Sequence, residues 1–203
     1  MLKWILCLVA LMPTWAMAEE FKVGRDYEVL STSAVTPSQK GPVIAEFFSF
    51  GCPWCAKIEP QLDAWLQKQK PAVTLIKNPV AFHKNWEAYS KAWYILKATS
   101  MTHKISPVLF DAIHEKSQSL TKPSDMAAFL IKHGVDAKMV ESGLKHSPSI
   151  DLQLEHAAQL AGRYQIKAIP AFVVNGRYKT DLRMTNGPDK MWPLLSYLLT
   201  LKP

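Results

Sequence analysis

The stretch PVIAEFFSFGCPWCAKIEPQLDAWL, residues 42–66, decides how the rest of the chain is read. Pro42 to Phe50 are nearly all apolar or aromatic, the pattern of a buried strand. Gly51 breaks the run. Beyond it Ile58, Leu62, Trp65 and Leu66 recur at helical spacing, so a helix follows the strand directly, with a kink expected at Pro60. AVTLIKNPV, Ala72 to Val80, reads as a second strand. Two strands joined by a helix form a βαβ unit, which makes them parallel neighbours. Cys52 and Cys55 stand at the strand-to-helix turn of that unit.

A helix starting at Pro53 puts Cys52 at the cap position. A cap side chain accepts hydrogen bonds from N–H groups two and three residues on, here those of Trp54 and Cys55. Pro53 at the first helical position removes no donor the helix needs. The Cys52 sulfur therefore faces the positive end of a helix, where a thiolate is favoured. That end supplies up to about 2 kcal/mol, which lowers a thiol pKa by roughly one to one and a half units. Any further depression has to come from direct N–H···S⁻ bonds. A stabilised thiolate favours the reduced pair and makes the disulfide an oxidant. Cys55, one turn deeper, reads as the buried partner that resolves or leaves.

Two other uses of a C-x-x-C pair fit less well. A bridge this short closes a tiny loop and stabilises little. Zinc needs two further ligands, and the chain offers neither a second C-x-x-C nor H-x₃₋₅-H. His83 is nearest in sequence; His103, His114, His133, His146 and His156 read as surface or helix-end residues. No metal site is expected. A phosphate-cradling glycine loop and a G-x-S-x-G elbow are also missing from the sequence.

The chain has 203 residues and a formal charge of +7. Its cations are scattered, with no Arg-rich run, so nucleic acid is not an expected partner. Residues 1–18 combine Lys3, a short apolar stretch and Ala16-Met17-Ala18, the pattern of a secretory signal cleaved before Glu19. Cys7 leaves with that segment. Cys52 and Cys55 then remain as the only cysteines of a protein bound for an oxidising compartment.

Tyr27 to Thr32 suits an edge strand, and PSQKG, residues 37–41, a turn. From residue 84 to 147 strand signal disappears. Helices are expected at NWEAYSKAWYILKA, at SPVLFDAIHEK with Ser106 as cap and Pro107 first, at KPSDMAAFLIKHG ending on Gly134, and at DAKMVESGLKH. A longer helix, SIDLQLEHAAQLAGRY, presents Leu154, Ala157, Ala158 and Ala161 on one face. Ala171 to Thr180 is a hairpin turning at Asn175-Gly176, and DKMWPLLSYLL closes the chain as a helix. The result is an α/β domain, residues 19–83 and 148–203, interrupted by a helical insert, residues 84–147.

EFFSFGCPWC and GRYQIKAIPAFVVNGRY, with the insert between them, resemble the DsbA family of bacterial periplasmic thiol–disulfide oxidoreductases. The resemblance spans nearly all of the chain after residue 18. It implies a thioredoxin-like fold split by a helical domain, a redox-active disulfide as the only cofactor, and periplasmic location. It also implies newly exported, unfolded cysteine-containing proteins as substrates and a quinone-linked membrane protein as reoxidant. Pro170 matches the family's cis-proline, with Ile169 before it, facing the disulfide and offering backbone to a bound peptide. Glu46 matches a buried acid and Lys77 its lysine partner, a pair placed to relay the Cys55 proton. The family's type member has histidine where this chain has Trp54, and a tryptophan brings no positive charge to the thiolate. A milder oxidant is expected, with Trp54 an apolar surface for substrates.

Three functions are weighed. A dithiol oxidase that donates the Cys52–Cys55 disulfide through a mixed disulfide is favoured. An isomerase or reductase kept reduced by a membrane partner is second. Family isomerases resemble dimers built through an extra N-terminal domain, and the segment between Glu19 and Pro42 is too short for one, so a monomer is expected. A peptide-binding holdase with a silent disulfide is third, and it alone predicts that function survives loss of both cysteines.

Overall fold

The computed structural model describes residues 21–31 and 41–202. The expected leader, Thr32 and residues 37–40 of the expected turn lie outside them. Among the described residues five strands form one sheet, in the order β1 (Glu28–Val29), β5 (Tyr178–Asp181), β4 (Ala171–Val174), β2 (Val43–Phe48) and β3 (Thr74–Pro79). β2 and β3 run parallel, joined by α1 (Pro53–Leu66), and their register sets Glu46 opposite Lys77. β4 pairs antiparallel with both β2 and β5. The hairpin turns where expected: Asn175 and Gly176 have φ of 48° and 65°, and the Arg177 N–H closes onto the Val174 carbonyl at 3.0 Å. Two positive φ values in succession make the type I′ turn that Asn-Gly favours.

Each face of the sheet carries helices. Ile44, Phe172 and Val174 meet Ile58 and Leu62 of α1 and Leu194 and Leu198 of α7 (Pro188–Thr200). On the other face Phe47 and Val173 meet Tyr164, at the end of α6 (Pro148–Arg163). The remaining helices, α2 (Glu87–Ala98), α3 (Thr102–His114), α4 (Pro123–Lys132) and α5 (Ala137–Lys145), share a third core. α2 lies against α5 so closely that a Cβ on Gly143 would come within 2.6 Å of the Ile95 side chain. Phe48, Phe50, Cys52 and Cys55 belong to this third core, so the cysteines sit on the seam between sheet and helical bundle.

The structure departs from the sequence reading in three places. α3 begins at Thr102, not Ser106, and Pro107 lies inside it. The extra turn brings Ile105 into the bundle interior, and that burial offsets the one backbone bond Pro107 cannot make. On α6 the buried residues are Ile150 and Ala157, while Ala158 is exposed. The helix serves two cores in turn, Ile150 and Leu154 packing on the bundle and Leu160 and Ala161 on the sheet, so its apolar stripe is divided. β1 is two residues long, although it is the edge strand expected there.

Candidate active site

Ser49 to Gly51 carry the chain from β2 into α1. The Ser49 carbonyl accepts from the Cys52 N–H at 3.1 Å, and Ser49 Oγ from the Gly51 N–H at 3.2 Å. Cys52 caps the helix in an extended conformation, φ −93° and ψ 113°, with Pro53 next. Its Sγ accepts from the Cys55 N–H at 3.2 Å. Cys55 is fully buried, and both cysteines are free thiols. From the other half of the chain, the Ile169 carbonyl comes within 3.7 Å of Cys52 Sγ, close enough to accept its S–H. The Ile169–Pro170 peptide is cis; so is Lys70–Pro71, which the sequence reading did not single out.

The two sulfurs are driven apart in acidity. A hydrogen bond from the Cys55 thiol, with the N–H groups of Cys55 and Trp54, holds Cys52 below the ordinary thiol range, against burial and the Glu46 charge. Burial pushes Cys55 well above that range, and the Cys52 sulfur adds to the shift. One proton shared by the pair therefore rests on Cys55 and leaves the negative charge on Cys52 at the helix N-terminus.

Beneath the cysteines lies a buried charge cluster. Glu46 has no exposed surface, and Lys77 Nζ stands 3.1 Å from its Oε2. That is ion-pair distance, although neither Glu46 oxygen has a well-directed hydrogen bond. Lys77 also grips Glu59, at 2.5 and 2.6 Å from its two oxygens. Its ammonium lies 4.6 Å from the Phe48 ring centroid and 5.7 Å from that of Trp93. Burial pushes the Glu46 carboxyl up to about 7, with Lys77 pulling down and Glu59 pushing further up. Burial alone would lower Lys77, but the two carboxylates more than offset it and its pKa is raised. At neutral pH, Glu46 can either give or take a proton.

Sequence reasoning named Glu46 and Lys77 and missed Glu59. The available signal was its place four residues after Cys55, which puts both on one face of α1. Trp54 is 48% exposed beside Cys52, and Lys57 Nζ lies 4.7 Å from its ring centroid. The chain thus brings Cys52, Cys55, Pro53, Trp54, Ile169 and Pro170 to one end of the sheet, with Glu46 and Lys77 behind them in adjacent strands. Among the described residues no cluster of three metal-ligating side chains occurs.

A capped, acidic thiol beside a buried, basic one, with a carboxyl held near neutrality behind them, is built for exchange between thiols and disulfides. The fold and site together define a thiol–disulfide oxidoreductase on a thioredoxin-like frame. Comparison with known proteins narrows the class. The DSBA-like thioredoxin domain matches residues 43–199. The thiol:disulfide interchange protein DsbA of Pseudomonas aeruginosa is 33% identical over 196 residues, 96% of this chain and 92% of that protein. Its namesake from Azotobacter vinelandii is 35% identical over 183 residues, 89% and 84% of the two chains. The crystal structure of Pseudomonas aeruginosa DsbA superposes with a TM-score of 0.81 at 31% identity, covering 88% of this chain and 93% of the other. The chain belongs to the DSBA-like thioredoxin family and is a protein thiol–disulfide oxidoreductase.

Proposed function

We propose that this protein is a dithiol oxidase of the bacterial periplasm, donating the Cys52–Cys55 disulfide to newly exported proteins. A substrate thiolate attacks Cys52 Sγ, the Cys52–Cys55 bond breaks, and Cys55 leaves as a thiolate that takes a proton from Glu46. A second substrate thiolate then attacks the substrate sulfur of the mixed disulfide, and Cys52 leaves as a thiolate held by the helix N-terminus. The substrate loses two electrons and gains a disulfide; the enzyme becomes a dithiol. A quinone-linked membrane partner restores the disulfide, which is itself the redox group. Residues 84–147 act as an insert in the domain formed by 19–83 and 148–203, and the protein works as a monomer.

The observation that carries this reading is the opposite displacement of the two thiols, Cys52 down and Cys55 up. It makes Cys52 the better leaving group and the reduced enzyme the favoured state. Trp54 and Ile169 line the way to Cys52 and offer apolar surface and backbone to an extended substrate; Lys77 keeps Glu46 in place. Trp54 also favours a second reading, a reductase or isomerase, because it supplies no charge to the thiolate. Titration of Cys52 by thiolate absorbance, with equilibration against a glutathione buffer, separates the two. A potential well above thioredoxin's roughly −270 mV supports the oxidase, and one near that value rejects it.

A further inference from the structure

The loop that delivers Cys52 is held from behind by the helical bundle, and one contact there is polar. His114, the last residue of α3, brings Nε2 within 2.7 Å of the Phe50 carbonyl oxygen. Phe50 is 1% exposed, so that carbonyl has no water to turn to. The His114 ring stacks on Phe110 at 6.2 Å and 29°, and Phe110 in turn meets the Phe50 ring at 4.9 Å. On the next residue a Cβ at Gly51 would fall 2.8 Å from both the Trp86 and the Tyr89 rings. Residues 50 and 51 are thus clamped by α3 and by the start of α2, immediately before the sulfur that caps α1.

We infer that His114 is a positioning residue for the Cys52 thiolate, acting through the Phe50 carbonyl. This rests on the reading of Cys52 as nucleophile. A carbonyl only accepts, so the neutral imidazole must carry its hydrogen on Nε2. That bond holds the carbonyl side of the peptide between Phe50 and Gly51, whose N–H donates to Ser49 Oγ, and so helps set the direction from which Cys52 enters the helix. The Cys52 sulfur accepts from the Cys55 N–H only while that direction is kept. When the clamp is lost the buried carbonyl seeks another donor, the loop turns, and the thiolate loses its helix N-terminus. The Cys52 pKa then rises and the disulfide becomes a weaker oxidant. Seen in sequence alone, His114 is a helix-end histidine; its partner lies 64 residues away.

The test compares wild type with His114→Leu, which deletes the donor, and His114→Gln, whose amide N–H reaches where Nε2 does. Each is equilibrated against glutathione, and Cys52 is titrated by thiolate absorbance. In His114→Leu the equilibrium constant for oxidising glutathione should fall about tenfold, with a matching rise in the Cys52 pKa of about one unit. His114→Gln should recover most of both. Urea unfolding of the disulfide forms reports stability separately. Equal constants for wild type and His114→Leu, or a Gln variant as impaired as the Leu variant, overturn the inference. So does a neutral ring protonated on Nδ1 by ¹⁵N chemical shift. A wild type whose Cys52 titrates like a free thiol overturns instead the reading of Cys52 on which the inference rests.

Discussion

Replacing Glu46 by glutamine should remove a pH-dependent weakness from the fold. The Glu46 carboxyl sits at about 7 in the folded protein against an ordinary 4.5. A folded-state pKa above the unfolded one means that the native state binds the proton more tightly. Stability from this group is complete below about pH 4.5 and is lost as pH rises through about 7. Between those values the slope is near −1.4 kcal/mol per pH unit, and the total comes to about 3 kcal/mol. Glutamine has the same shape and no charge. It loses the ion pair with Lys77, but Lys77 keeps Glu59. A buried amide with imperfect partners costs about 1–3 kcal/mol at every pH. The diagnostic is therefore the slope of the difference between wild type and variant. Urea unfolding of the disulfide forms, in which neither sulfur titrates, should show Glu46→Gln gaining about 3 kcal/mol on wild type between pH 4 and pH 8. Parallel curves over that range would refute the claim that burial, rather than the lysine, governs this carboxyl.

Three further substitutions probe the surroundings. Gly51→Ala brings a methyl group against the Trp86 and Tyr89 rings, so it should cost about 1–3 kcal/mol in urea unfolding and raise the Cys52 pKa; an unchanged protein would mean the rings are free to move. Asp26→Asn removes a buried carboxylate held down to about 2 by the Arg25 guanidinium, the Lys22 N–H and Lys190. Because that pKa is depressed, its stabilisation is present above pH 4 and fades as pH falls towards 2. The variant should lose about 1–2 kcal/mol at pH 7 and close the gap in acid, after allowance for the exposed side of Arg25. Trp54→His puts an ionisable ring between the cysteines; at pH 6 its charge should lower the Cys52 pKa by up to about one unit and make the disulfide more oxidising, and a potential equal to wild type would dismiss position 54 as the tuning element.

The parts of the site legible in the sequence are those set by neighbours along the chain. Cys52 caps α1 because Gly51 and Pro53 flank it, and three residues of spacing put the Cys55 N–H at its sulfur. The hairpin could be read because Asn-Gly accepts positive φ twice in succession. Glu46 and Lys77, by contrast, are singled out by the family resemblance; the βαβ unit accounts for their matched positions in parallel neighbours. The start of α3 was misplaced because Ser-Pro is a strong local start signal, whereas the burial of Ile105 that extends the helix is a tertiary effect.

What sequence reading missed lies where separate segments converge on the cysteines. Glu59 looks like one more polar residue on an amphipathic helix until α1 is laid on β3, where it becomes the second carboxylate on Lys77. That contact alters the chemistry of a residue named in advance, since the Glu59 charge helps to raise Glu46. The same holds for the bundle. Its helices were read as an insert, residues 84–147, and Phe48, Phe50 and both cysteines pack into the core those helices share. The reactive site therefore packs against the helical bundle as well as the sheet. The acidity of Cys52 depends on local helix geometry, and that geometry is braced by α2 and α3, so substitutions in the bundle that leave the sheet intact should still move the redox equilibrium.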